Sequence, residues 1–164
     1  MTPSEALKYA IEPALAMLPP SMDTPEAKVM LLSIALQESR LTYRRQGGNG
    51  PARGFWQFEQ GTKESRGGVW GVYLHAASSV LLQRLCATLK VPFTPQAIYA
   101  AIENNDVLAA GLARLMLYTD PQRLPAVQDA VGSWATYLRI WRPGKPHPET
   151  WPELHAQAAL EVST

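Results

Sequence analysis

The sequence predicts an all-α protein folded as a single domain over residues 1–164. Three observations carry that prediction. Apolar residues recur at helical spacing along most of the chain. Threonine-proline pairs stand where helices should begin. No sustained alternation of apolar and polar residues marks a half-buried strand.

The first helix opens at Thr2-Pro3, with Glu5 placed to close a capping box on Thr2. Leu7, Ala10, Ile11, Ala14, Leu15 and Leu18 follow at helical spacing, and Pro19-Pro20 ends the run. Thr24-Pro25 opens a second helix, expected to reach about Arg40, and Thr94-Pro95 opens another that runs to about Glu103. Further helical patterns cover 74–90, 107–118, 126–138 and 152–162. Segment 42–72 is irregular and glycine-rich, with GGNG at 47–50. A long irregular segment in a compact domain is more often functional than idle. The proline-rich stretch from Trp141 to Trp151 reads as a folded connection, because tryptophans bracket it. No repeat, low-complexity tract or linker divides the chain.

Composition narrows the function classes. A formal charge of +1 gives no strong basic field for nucleic acid. No apolar run reaches the length of a membrane span. The N-terminus lacks a basic segment and a secretory core and carries Glu5 and Glu12, so it is read as mature sequence with no signal peptide. Cys86 is the one cysteine, which fits a cytosolic origin, and Leu81, Leu82, Leu85 and Leu89 around it point to helix packing. His75, His147 and His155 show no metal-ligand spacing, so neither a metal nor another cofactor is expected.

The chemistry begins at LLSIALQESR, residues 31–40. The helix is apolar on nearly every side from Val29 to Leu36, turns polar at Gln37 and presents Glu38. A carboxyl beside apolar walls resists ionisation, because desolvation penalises its charged form. Kept protonated near neutral pH, it can give a proton to a leaving glycosidic oxygen. The alternative is a glutamate that is solvated or paired with Arg40, Arg44 or Arg45.

The loop that follows, ARGFWQFEQGT at 52–62, supplies what a sugar site needs. Gly54 leaves room for a close backbone approach to a ligand. Phe55, Trp56 and Phe58 offer flat apolar faces, and Gln57 offers a donor and an acceptor. The competing reading has the aromatics plug the core beneath the loop.

Together these segments resemble the catalytic domain of the soluble lytic transglycosylases in the lysozyme superfamily. That family carries a helix ending in Glu-Ser, then a Gly-Ala-x-Gly-Leu-Met-Gln-Leu-Met-Pro-x-Thr loop. Glu38-Ser39 matches the first, and residues 51–62 match the second with Ala52, Gly54, Gln57 and Thr62 in agreement. The family's Asn-Ile-x-x-Gly-x-x-Tyr-Leu helix corresponds to 107–115, which keeps Leu108, Gly111 and Leu115. Its Ala-x-Tyr-Asn appears as Ala135 to Leu138, keeping Tyr137. The similarity spans about 26–142 and is strongest over 31–62. The WRPGKPHP that follows resembles phage or prophage-encoded relatives.

The resemblance implies a lysozyme-like fold that cleaves the β-1,4 bond between N-acetylmuramic acid and N-acetylglucosamine in peptidoglycan. It implies Glu38 as general acid and then base, and Ser39 positioning the glycan or the acid. Gln57 would contact the muramyl sugar, Phe55 and Trp56 would line the cleft with Gly54 beneath, and Tyr137 would hydrogen-bond near Glu38. Such enzymes manage with one carboxylate because the muramyl 6-hydroxyl is the nucleophile. A phage enzyme of this kind waits in the host cytoplasm or travels in the virion before reaching the wall. Glu59 is the second carboxylate to watch, since a hydrolytic muramidase needs a pair. A non-catalytic phage structural or wall-binding protein of the same fold is the rival from another class. Arg44, Arg45 and Arg53 either hold peptide carboxylates or pair with nearby acids. Arg139, Arg142 and Lys145 form a second basic patch beside Trp141.

Overall fold

A computed structural model describes residues 1–164. The chain is mainly helical and contains no strand, only two isolated bridges in the 45–58 loop. In chain order the helices are α1 (Pro3–Ala6), α2 (Glu12–Ala16), α3 (Pro25–Ser39), α4 (Gly68–Leu74), α5 (Ser79–Leu89), α6 (Pro95–Ile102), α7 (Asp106–Tyr118), α8 (Ala130–Trp141) and α9 (Trp151–Ser163).

The threonine-proline starts act as the sequence predicts. Thr2 and Glu5 form a complete capping box, and Thr24 and Thr94 cap α3 and α6 through Ala27 and Ala97. The expected first helix is interrupted by a π-helical turn, Leu7–Ile11. Pro13 explains it. A proline inside a helix lacks the N–H that would bond back one turn, and its ring crowds that carbonyl. The chain widens ahead of it, and the Glu12 N–H bonds to the Leu7 carbonyl instead.

Three expectations need correction. The segment expected to be irregular over 42–72 turns helical at Gly68, where α4 begins, and the helix expected from 74 starts only at Ser79, as α5. Ser78 donates to the Val72 carbonyl at 2.7 Å, and His75 Nδ1 accepts from the Ala77 N–H at 3.0 Å. These local bonds replace helical ones. The helix expected over 126–138 starts at Ala130, because the Asp129 carboxylate accepts from the Gly132 N–H at 2.8 Å and caps it there.

The core is built around α3, where every residue from Val29 to Leu36 is buried. Helix α9 packs along it, the π-helical turn and α7 close other sides, and α5 packs on α7. A helix enclosed in this way needs no amphipathic stripe, and its last turn is held as rigidly as the core. Cys86 lies in the same core, where burial pushes its thiol up to about 11. No helix is long and apolar enough to cross a membrane.

Candidate active site

Helix α3 delivers Glu38 to the wall of a cleft of about 1220 Å³. The chain then reverses sharply. Arg40 and Leu41 both take left-handed conformations, with φ of 53° and 55°. The Arg40 N–H and guanidinium both donate to the Leu36 carbonyl, at 3.0 and 2.8 Å. Glu38 is thus the last side chain of the helix to face the cleft before the turn.

The Glu38 carboxyl is half-buried, and Tyr137 from α8 donates its hydroxyl to Oε1 at 2.6 Å. Burial raises the Glu38 pKa above the ordinary glutamate value, while the Tyr137 bond opposes the rise by favouring the carboxylate. Tyr137 is itself pushed well above the usual phenol range, by burial first and by the neighbouring Glu38 charge second. It therefore remains a donor. None of the candidate arginines neutralises the acid. Arg44 is paired with Asp106 and Arg45 with Glu103, and Arg40 is engaged by the Leu36 carbonyl. Arg53 donates to the Gly50 and Ala52 carbonyls.

The loop residues divide into those that face the cleft and those that hold it up. Residues 53–58 form a tight turn closed by reciprocal Arg53–Phe58 backbone bonds, both 2.9 Å. Phe55 and Trp56 point inward from this turn. Trp56 is fully buried and donates its indole N–H to the Leu31 carbonyl of α3 at 2.9 Å. Phe55 is buried beneath the Arg44 guanidinium, 4.3 Å from its ring centre. The expectation that these two rings line the cleft is therefore corrected. They are large apolar groups next to a core with room for them, and burial wins.

Ser39 is corrected likewise. It is fully buried, donates to the Phe55 carbonyl at 2.8 Å and accepts from the Leu41 N–H at 3.2 Å. It ties the loop to the helix and is closed to any glycan. Gly54 makes a close approach to protein. It has φ of +73°, and a Cβ there would lie 2.7 Å from the Ile102 carbonyl oxygen at the end of α6. Gln57 does face the cleft, with its amide nitrogen donating to the Gly54 carbonyl at 2.9 Å. Phe58 and Glu59 line the same cleft.

The remaining wall comes from the segment between α8 and α9. Gln37 donates to the His147 carbonyl at 3.2 Å and accepts from the Thr150 hydroxyl at 3.0 Å. This latch fixes the 142–150 strap to the residue beside Glu38. Arg142 and Lys145 of the strap line the cleft. Trp141, at the strap's start, donates its indole N–H to the Trp56 carbonyl at 3.1 Å, and its ring sits 5.6 Å from Phe58.

The chain matches no known family profile, curated protein or solved structure. What the site does must therefore be inferred from its own chemistry.

Two residues escaped the sequence reading. Gln37 gave no signal beyond its place before Glu38. Trp151 stacks on Tyr137 with ring centres 5.1 Å apart and planes at 16°, and its indole N–H bonds to the Ala130 carbonyl at 3.1 Å. The tryptophans bracketing the proline-rich stretch were the available signal. They marked the segment as folded without showing that Trp151 backs the ring that holds Glu38.

Proposed function

We propose that this protein is a peptidoglycan-degrading lytic transglycosylase with a lysozyme-like fold, cleaving the β-1,4 bond between N-acetylmuramic acid and N-acetylglucosamine. The observation that carries the reading is Glu38: a carboxyl with a raised pKa and no cationic partner, at the rigid end of a buried helix in an open cleft. A carboxyl of this kind is suited to protonate the glycosidic oxygen. After the leaving sugar departs, the Glu38 carboxylate accepts the proton of the muramyl 6-hydroxyl as that oxygen closes a 1,6-anhydro ring. Tyr137 steadies the ionised form between the two transfers. Gln57 lines the cleft with its amide nitrogen already donating to the Gly54 carbonyl, and it is the residue proposed to meet the acetamido group. The phage or prophage origin and action on the cell wall belong to the same proposal.

Glu59 supports a second reading, since it is exposed and lines the same cleft as Glu38. A pair of carboxylates across a glycan is what hydrolysis requires. Digestion of purified peptidoglycan followed by mass spectrometry of the muropeptides separates the two. Anhydro-muramyl ends support the transglycosylase, and reducing muramyl ends support a hydrolytic muramidase. No release by folded protein rejects both and leaves the non-catalytic wall-binding protein. A Glu38→Gln variant with full activity would remove Glu38 from the mechanism.

A further inference from the structure

The cations around the cleft differ in what holds them, and Arg40 is held by the Leu36 carbonyl. Arg44, Arg45 and Arg139 are occupied by Asp106, Glu103 and Asp120. Arg142 and Lys145 on the strap, and Arg66 on the loop before α4, enter no ion pair. The cleft also continues beyond Trp141. A second compartment of about 410 Å³ adjoins the first, and the two share Gly68, Met116, Trp141 and Arg142. Arg66 and His75 line only the second.

The junction between the compartments is built. Arg142 is the left-handed C-cap of α8, with φ of 50° and its N–H on the Leu138 carbonyl at 3.2 Å. Trp141 beside it is held by its indole bond to Trp56. His75 Nδ1 accepts the Ala77 N–H, which leaves Nε2–H as a further donor. Asp120, the acid of this compartment, is matched by Arg139. The free donors are therefore two guanidinium groups and an imidazole N–H. Guanidinium groups bind carboxylates through paired, charge-assisted hydrogen bonds. Two guanidinium groups without an acid leave positive charge that an anionic substituent matches.

We propose that the second compartment, lined by Arg142 and Arg66, is a subsite for a carboxylate-bearing substituent of the glycan in the main cleft: an acidic peptide branch. This rests on the peptidoglycan reading of the main cleft. Glycan strands that carry their peptide branches bind better than the same strands stripped of them. The attraction is between exposed groups and is screened by salt.

The test uses the full chain and an Arg66→Gln variant, which leaves the lining of the main cleft intact, with uncross-linked strands carrying peptide branches and with strands stripped by an amidase. The expected result is a KM for branched strands raised roughly two- to five-fold in the variant. That loss shrinks at high salt, and the stripped strands are cleaved equally by both proteins. Equal effects on both strands, or none on either, overturn the proposal. If neither strand is cleaved, the peptidoglycan reading fails, and the subsite is judged by binding. The free acidic branch peptide is then titrated into the protein while the Trp141 indole N–H is followed by NMR. A shift seen in the native chain and lost in the variant sustains the subsite, and no shift in the native chain ends it.

Discussion

Gly54→Ala tests whether the loop is braced against α6. Gly54 stands at φ of +73°, and the added Cβ would meet the Ile102 carbonyl oxygen at 2.7 Å, its carbonyl carbon at 3.5 Å and the Ala109 Cβ at 3.7 Å. The first of these is closer than real Cβ atoms approach, and the atom it meets is backbone that cannot rotate away. A left-handed alanine costs about 1–2 kcal/mol. Forcing an extra carbon into a packed site costs about 1–3 kcal/mol more. The sum is roughly 2–5 kcal/mol, which lowers Tm by about 4–20 °C for a chain of this size. Thermal unfolding followed by far-UV circular dichroism measures it. A variant within about 0.5 kcal/mol of the native protein, the range of a neutral surface change, would refute the brace. Loss of glycan binding without loss of stability would return Gly54 to the ligand-approach role read from the sequence.

Glu38→Gln should stabilise the protein at neutral pH. Because the folded state raises the Glu38 pKa, it binds more protons than the unfolded chain between the two values, so native stability falls as pH rises through that window. Urea denaturation should show equal stabilities below the unfolded glutamate value and a more stable variant at neutral pH; an equal difference at both would sink the idea. Tyr137→Phe removes the one bond that lowers the Glu38 pKa, so NMR titration of the carboxyl carbon should move upward, and a downward move would contradict the assignment. Ser39→Ala should cost about 1–3 kcal/mol by leaving the buried Leu41 N–H and Phe55 carbonyl short of a partner. An unchanged denaturation midpoint would show that Ser39 is no tie. Trp151→Leu removes the ring stacked on Tyr137 and should shift the Glu38 titration, while Trp151→Phe should largely preserve it; identical curves for all three proteins would deny Trp151 a positioning role.

What the sequence made legible was the part written in local rules. Thr2, Thr24 and Thr94 cap where they were read to cap, because a cap needs only a side-chain oxygen and the N–H groups one turn ahead. The apolar run from Val29 to Leu36 was readable as burial on all sides. The break at 75–78 was not, because its cause is a serine and a histidine turning back on backbone that the apolar pattern alone would keep helical. Phe55 and Trp56 show a different limit. An aromatic ring serves a cleft and a core equally well by composition, and only the position of the Leu31 carbonyl decides for Trp56. The two basic groups were equally ambiguous until their acids appeared. Glu103 and Asp106 lie 58 and 62 residues from the arginines they hold, beyond any spacing rule.

The site is assembled from three segments that the sequence keeps far apart. Helix α3 supplies the acid, α8 supplies the hydroxyl that meets it, and α9 supplies the ring behind that hydroxyl. Removing any one changes the acid by a different route. Without the buried length of α3 the carboxyl would be solvated and ionise normally. Without Tyr137 its ionised form would lose its one hydrogen-bond donor. Without Trp151 the Tyr137 ring would be free to tilt away from a 2.6 Å bond. The strap that joins α8 to α9 lies across the same cleft and is latched to Gln37, one residue from the acid. The one hydrogen bond to the acid and one wall of the cleft thus come from a single stretch, 137–151, most of it beyond the region that resembles the transglycosylases. Substitutions there should change both the pH profile and the choice of strand, whereas substitutions at the α1–α2 end should change only stability.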